Sequence, residues 1–395
     1  MRIAYIAPYQ GPGLLSRRPT LLNLGLAANV KMELVAELLQ RKLHTVEVLS
    51  QGAVVERRLR RYPAFREPKP FDPTIPVFYA SALPIRRVNG LWSAFWTLQL
   101  FRRRHRQSAF DAVLIYNLQL PQVLCALYAM RRFGLPVVLE YEDDAFVDVG
   151  GIRQNSWSDR GHRRLARAVL SSVSGCTGVS PHILSQVPAV VPKALLRGVV
   201  SANVLEASGV PASARKDWVV FSGTHFRSKG LEQLVKAWDL VSLPNWELHI
   251  AGHGEKTDML RKMAQGNTSI VFHGLLNREQ NARLLSMAKI GANPHDVSAI
   301  PGNVFAFKII EYLAAGTHVV TTPMGALESE LEAGLTYMPD NSPETIAATL
   351  RRVVGERAYE RTARQAAQQL YGPEAVAKSL DALLNQARTG AVAHV

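Results

Sequence analysis

PGNVFAFKIIEYLAAGTHVVTTP, residues 301–323, reads as a loop, a helix and a buried strand. Pro301 and Gly302 break whatever precedes them. Phe305, Ile309, Tyr312 and Leu313 recur at helical spacing, and Gly316 stands where a helix stops. His318 to Thr322 is a short run rich in β-branched residues, suited to a strand covered on both faces. The helix therefore aims its N-terminal end at whatever lies above the sheet. Unpaired N–H groups and partial positive charge at such an end favour phosphate. Lys308 and Glu311 stand one turn apart. A cation for phosphate and a carboxylate for sugar hydroxyls suit a nucleotide sugar.

The rest of the C-terminal half extends the pattern. Strand-like runs at WVVFSG (from Trp218), ELHIAGHG (from Glu247), SIVFHG (from Ser269) and IGANPH (from Ile290) alternate with helical ones. The helical runs are LEQLVKAWDLV from Leu231, a polar stretch near Leu260, and the residues around Arg283 to Ala288. This alternation predicts a parallel sheet with helices on both faces, and ligands on such sheets bind beyond the carboxyl ends of the strands. The strands end in Ser222-Gly223-Thr224-His225, Gly252-His253-Gly254, His273-Gly274 and Asn293-Pro294-His295, clusters that would gather at one rim.

On these residues the chain resembles the retaining GT-B glycosyltransferases of family 4, the glycosyl transferases group 1. Asn303, seven further residues and Glu311, followed by Tyr-Leu-Ala-Ala-Gly and His-Val-Val, is similar to that family's Glu-x7-Glu segment. The resemblance implies that Glu311 binds the ribose and that Asn303 touches the transferred sugar. Asn303 replaces a Glu there: it keeps hydrogen-bonding capacity without charge. FSGTHFRSKG resembles the family's Gly-Arg…Lys-Gly, whose cations hold the diphosphate. Gly223, Lys229 and Gly230 match, Thr224 stands in the Arg position, and Arg227 is the candidate for the missing charge. The alternative for Arg227 and Lys229 is a solvated loop before a helix. Ala251 to Gly254 resembles the family's Gly-x-Gly, either letting backbone approach a ligand or making a plain turn. Gly252, His253, Phe305 and Lys308 complete the expected donor side. Gly325-Ala-Leu-Glu328 and the stretch from Tyr337 to Asp340 also fit. The resemblance covers residues 215–355 well and is thin before residue 200.

The implied fold class is α/β: GT-B, two Rossmann-like doubly wound parallel-sheet domains facing a central cleft. The length of 395 residues suits two domains, and 47% apolar content fills two cores. The expected division is 1–200 for an acceptor-side domain and 201–370 for a nucleotide-sugar domain, with 371–395 as a final helix crossing back. Strand candidates in the first half begin at Ile3, Thr45, Pro76, Ala112, Pro136 and Cys176, with a helix over Val30 to Arg41. Gly11-Pro12-Gly13 follows the first strand. It is either a ligand loop on the donor side, as in GT-B enzymes, or a simple turn. Two cysteines make neither a disulfide framework nor a metal signature, no run of eighteen apolar residues occurs, and MRIAYIAPYQ is too short and polar for a signal peptide. The expected compartment is the cytoplasm.

Charge is lopsided. Residues 1–200 hold 27 Lys and Arg against 13 Asp and Glu, while residues 201–395 hold 19 of each. The basic residues cluster at Arg57-Arg58, Arg60-Arg61, Arg86-Arg87, Arg102 to Arg106, Arg131-Arg132 and Arg163-Arg164. LWSAFWTLQLFRRRHR sets Trp92, Phe95, Trp96 and Phe101 beside one of them. Taken together, such a surface suits an anionic membrane, at roughly 1 kcal/mol per basic residue near the lipid; any single patch by itself better suits a solvated helix face. No nucleic-acid-binding signature accompanies it, so nucleic acid is not an expected partner. LEYEDDAFVD, from Leu139 to Asp148, crowds Glu140, Glu142, Asp143, Asp144 and Asp148 at a strand end. These carboxylates either orient an acceptor hydroxyl, with Glu142 or Asp143 taking its proton, or pair with nearby Arg residues. No metal and no cofactor beyond a nucleoside diphosphate sugar co-substrate is expected. The expected function is retaining transfer of a sugar, most simply a hexose, to a glycan or lipid-linked acceptor in cell-surface polysaccharide synthesis. The alternatives are a GT-B epimerase or phosphorylase, and a degenerate, non-catalytic binding protein at the membrane.

Overall fold

A computed structural model describes residues 1–18, 26–52, 60–68, 75–85, 88–146, 157–296, 305–325 and 327–392. The chain divides into two compact units, Met1–Leu196 together with Val376–Val395, and Arg197–Ala375.

The first unit is built on an eight-stranded sheet. Its strands are β1 (Arg2–Ile6), β2 (Thr45–Ser50), β3 (Phe65–Glu67), β4 (Val77–Tyr79), β5 (Ala112–Tyr116), β6 (Val137–Tyr141), β7 (Gly175–Gly178) and β8 (Lys193–Leu195). The order is β3-β4-β2-β1-β5-β6-β7-β8, parallel throughout except for the antiparallel β3–β4 pair at the edge. β5 is apolar and buried along its length, and β1 and β6 are nearly so, as a sheet covered on both faces requires. Helices α1 (Pro12–Arg17), α2 (Leu26–Arg41), α3 (Asn89–Gln107), α4 (Leu120–Phe133), α5 (Trp157–Leu170) and α6 (Pro181–Ser185) fill the connections. β3 and β8, three residues each, are the strands that hydrophobic pattern did not announce, because FRE and KAL carry no period.

The second unit holds a six-stranded, all-parallel sheet of order β11-β10-β9-β12-β13-β14. The strands are β9 (Lys216–Ser222), β10 (Glu247–Ala251), β11 (Ile270–Gly274), β12 (Ala288–Asn293), β13 (His318–Thr321) and β14 (Leu335–Tyr337). Its helices are α7 (Ala202–Ala207), α8 (Leu231–Val241), α9 (Thr257–Met263), α10 (Arg278–Met287), α11 (Lys308–Ala315), α12 (Pro343–Gly355) and α13 (Arg364–Tyr371). Successive β9 residues serve opposite layers. Val219 and Phe221 join the core under α8 and α12, while Val220 joins the one under α10 and α11. Chain order runs outward from β9 to β11, then returns to β12 on the other side. That reversal opens a crevice between the carboxyl ends of β9 and β12.

α11 ends as its sequence predicts, on Gly316 at φ +81°, whose N–H returns to the Leu313 carbonyl. Its start differs. The helix opens at Lys308, so Phe305 precedes it and packs into the α10–α11 core. The final helix, α14 (Pro373–Val392), lies with the first unit from Val376 onward. There Asp381 meets His44 at 2.8 Å, and the Leu383 side chain covers Gly175 of β7.

Candidate functional site

The crevice of the second unit is lined by two loops that need glycine. Gly223, after β9, adopts φ +151°, and Gly252, after β10, φ +121°. A Cβ on Gly252 would lie 1.8 Å from the Gly223 carbonyl oxygen, so the two loops touch through bare backbone. The segment from Ala251 to Gly254 is thus a close approach between loops rather than a plain turn. Gly230, at φ +70°, is tighter still: its Cβ would stand 1.7 Å from the Pro294 oxygen. That contact draws the turn after β9, Arg227–Lys229, against the end of β12.

Two ammonium groups converge here. Lys229 Nζ donates to His295 Nε2 at 3.0 Å. Lys308 Nζ lies 3.5 Å from the centroid of the Phe221 ring, in space that Gly223 leaves open. It is out of solvent and has no hydrogen-bond partner among the described residues. Burial pulls the Lys308 ammonium well below its ordinary pKa; Lys229 adds to the pull, and Glu311 opposes it. Burial pushes the Glu311 carboxyl up to about 7 against the attraction of Lys308 and Arg278. The site is therefore a partly dehydrated cation pair with a carboxylate one helical turn away. It is strained electrostatically until an anion enters. The helix end contributes less than the sequence suggests. The Ile309 and Ile310 N–H groups turn back to the carbonyls of Ala306 and Phe307, which leaves the anion-binding capacity mainly to the ammonium groups.

Thr224 is half-buried beside Gly223. His253 is exposed, and its carbonyl accepts the His225 N–H. Arg227 is exposed at the start of its turn. Phe305 lies under the Arg197 guanidinium at 5.0 Å, and Arg197 in turn grips both oxygens of Glu328 at 3.1 and 3.2 Å. Asn303, Pro301 and Gly302 lie outside the described residues, as do Arg57, Arg58, Arg86, Arg87 and Asp148.

In the first unit the glycine loop is already filled. Gly13 N–H donates to Glu67 Oε1 at 2.7 Å, and Gly11 N–H to the Tyr79 hydroxyl at 3.0 Å, which itself donates to Glu67 Oε2. As it stands, the loop holds a carboxylate of its own edge strand where a donor phosphate was expected. The acidic cluster likewise has internal partners. Lys31 Nζ donates to Glu142, stands 3.7 Å from Glu140 Oε1, and caps the Leu196 carbonyl. β6 stops at Tyr141, yet Glu140 and Glu142 reach the same ammonium. Glu140 is buried beneath the Tyr5 hydroxyl, which donates to it, and is closed to an acceptor in this arrangement. Glu142 is half-buried, with its carboxyl raised to about 7 by burial, and exposed Asp143 accepts from Asn117 at 3.0 Å. Pairing with Arg was the stated alternative; the partner is Lys31, over a hundred positions away. Among the described residues, no three His, Cys, Asp or Glu side chains gather to hold a metal ion.

His295 and Lys31 escaped the sequence reading. The Asn293-Pro294-His295 cluster flagged the right strand end, but nothing in the spacing pairs His295 with Lys229. Lys31 sits on a helix whose pattern reads as ordinary amphipathy.

Comparisons place these features. The family model "Glycosyl transferases group 1" matches residues 216–356, which include β9, both lysines and Glu311. No curated protein matches the chain in sequence. Solved structures similar over nearly the whole chain include sucrose-phosphate synthase from Thermosynechococcus elongatus. It has a TM-score of 0.70 and 17% identity, over 98% of this chain and 99% of that one. HepE of Anabaena in complex with UDP has a TM-score of 0.66 and 14% identity, over 98% and 100%. WaaG, a glycosyltransferase involved in lipopolysaccharide biosynthesis, has a TM-score of 0.61 and 14% identity, over 98% of each. The chain thus has the GT-B fold, and residues 216–356 of its second unit match the glycosyl transferases group 1 family.

Proposed function

We propose that the protein is a retaining glycosyltransferase of family 4 that moves a sugar from a nucleoside diphosphate onto an acceptor hydroxyl. One observation carries the reading: Lys308 holds a dehydrated ammonium without a hydrogen-bond partner among the described residues, beside the anchored Lys229 and one turn from Glu311. A diphosphate supplies the missing anion, and a ribose supplies hydroxyls for the carboxylate. The glycosidic carbon–oxygen bond to the β-phosphate breaks as the acceptor oxygen bonds to the same carbon. The acceptor proton passes to the departing phosphate oxygen on that face. Charge growing on the diphosphate meets Lys229 and Lys308, and fixed cations lower the barrier without reorganising. Asn303 would meet the donor sugar. The family match favours transfer over epimerisation, and the cation pair weighs against a site that has lost its ligand.

The test is a thermal-shift screen with UDP, GDP and ADP. One nucleoside diphosphate raises the melting temperature of the wild type, and Glu311→Ala reduces that shift. No shift with any of the three overturns the reading.

The acceptor side of the proposal is a lipid-linked glycan at an anionic, cytoplasmic membrane face, in polysaccharide synthesis. Its support is α3, which leaves Leu91 at 65% and Phe95 at 52% exposure one turn apart, followed by Arg102 to Arg106. Not every arginine is available, since Arg104 is held by Glu47 at 2.8 and 2.9 Å. Among the described residues no helix is long and apolar enough to cross a membrane. Flotation with phosphatidylglycerol vesicles at low salt tests it. The wild type rises with the vesicles, Phe95→Asp does not, and a wild type that stays at the bottom refutes the membrane reading.

A further inference from the structure

His295 has no part in the proposed chemistry, yet its ring meets the Lys229 ammonium. It is 1% exposed, at the end of β12, across the strand reversal from the turn that carries Lys229. An ammonium only donates, so the Nε2 facing Lys229 at 3.0 Å must carry the lone pair. The proton then sits on Nδ1, which donates to Asn293 Oδ1 at 3.0 Å. Asn293, with no exposure, donates from Nδ2 to Thr321 Oγ1 at 2.9 Å, and that hydroxyl donates to the Thr322 carbonyl. The Thr322 hydroxyl returns to the His295 carbonyl at 2.9 Å. Every proton in this chain has one direction. It starts at Lys229 and ends at the Thr322 carbonyl, just beyond β13.

The electrostatics agree with that assignment. Burial drives the His295 pKa down to about 2, helped by Lys229 and Lys308, so the ring is neutral at any working pH. Backbone contacts hold the two loops in register: Asp296 N–H donates to the Ser228 carbonyl at 3.1 Å, and Gly230 admits the Pro294 carbonyl.

We propose that His295 is a positioning residue for diphosphate binding: its neutral Nε2 anchors Lys229 beside Lys308, so both ammonium groups are in place before the diphosphate arrives. This rests on the nucleotide-sugar reading above. An unanchored lysine would leave its like-charged neighbour and be restrained again on binding. A positioned one needs no reorganisation. The consequence is specific. Removing the anchor weakens ligands that carry the diphosphate and spares those that lack it. A merely structural histidine would affect both.

The experiment is calorimetric titration of the full chain with the nucleoside diphosphate found by the screen and with the matching free nucleoside. His295→Leu is expected to lose about tenfold in diphosphate affinity, the scale of one charge-assisted hydrogen bond, with nucleoside affinity unchanged. Lys229→Met is expected to lose at least as much, and the double variant no more than Lys229→Met alone. His295→Gln, whose amide oxygen can accept from Lys229, should recover affinity to within about threefold. It serves as the folded control if the leucine variant is unstable. Nitrogen-15 spectra, assigned by difference against His295→Gln, should show a neutral, Nδ1-protonated ring from pH 5 to 9. Additive losses in the double variant, equal losses for nucleoside and diphosphate, or an Nε2-protonated ring overturn the proposal. A wild type that binds no diphosphate overturns the underlying reading instead.

Discussion

Lys308→Met should make the protein more stable and less able to bind nucleotide. The ammonium rests on the Phe221 ring at 3.5 Å, with Lys229 repelling it and no hydrogen-bond acceptor among the described residues. A buried ion carries an effective penalty of several kcal/mol, and a desolvated cation–π contact returns about 2 kcal/mol. Methionine keeps most of the volume and a favourable sulfur contact with the ring while removing the charge. Attraction to Glu311 is lost, but that carboxyl is already raised to about 7, and without the lysine it rises further. At pH 6 it is therefore mostly neutral in the variant. The net expectation is a gain of about 1–3 kcal/mol in the unliganded protein, or roughly 2–12 °C for a unit of this size. The same change deletes a charge-assisted contact to the diphosphate, about 1.5–3 kcal/mol, or roughly 10- to 150-fold in affinity. Differential scanning calorimetry without ligand and isothermal titration with it, both at pH 6, measure the two effects. A variant that melts lower than the wild type and binds diphosphate equally well would rule out a strained, anion-binding Lys308. Lys308 would then be an ordinary structural lysine.

Gly230→Ala sets a methyl 1.7 Å from the Pro294 oxygen at a φ of +70°, so it should lose at least about 2 kcal/mol in denaturant unfolding. A neutral result would mean that the turn after β9 is loose. Lys31→Met strands Glu140 and Glu142, and about 3–5 kcal/mol should go with it. Adding Glu142→Gln should restore part of that loss, and no restoration would contradict the shared-cation picture. Burial raises Glu311 from 4.5 to about 7, so between those values the folded chain holds more of its proton than the unfolded chain does, and stability from this group falls as pH rises. Unfolding of Glu311→Gln and wild type should therefore nearly coincide at pH 5, with the variant ahead at pH 8; a lead at pH 5 that vanishes at pH 8 would reverse the sign.

Much of this was legible in the sequence because parallel sheets advertise themselves. A strand such as AVLIY is apolar along its length, and each site loop follows a strand directly. That is why Gly223 and the helix with Lys308 and Glu311 could be assigned to one rim from local pattern, with Lys229 added by the family resemblance. Short polar edges such as β3 bury too little to leave a pattern, so the Glu67 carboxylate that fills the Gly11–Gly13 loop was invisible. The partners that decide electrostatics were hidden for another reason. Lys229 meets His295 and Lys31 meets Glu142 across 66 and 111 positions, distances that only the strand order brings together. The helix start was misplaced because Phe305 fits the apolar spacing of α11 while lying outside it.

The most direct measurement is a crystal structure of the chain with the nucleoside diphosphate that stabilises it. A diphosphate should lie between β9 and β12, with oxygens about 2.7–3.2 Å from both Lys229 Nζ and Lys308 Nζ. The ribose should lie against Glu311. A nucleotide bound elsewhere, or one whose phosphates touch neither lysine, would contradict it.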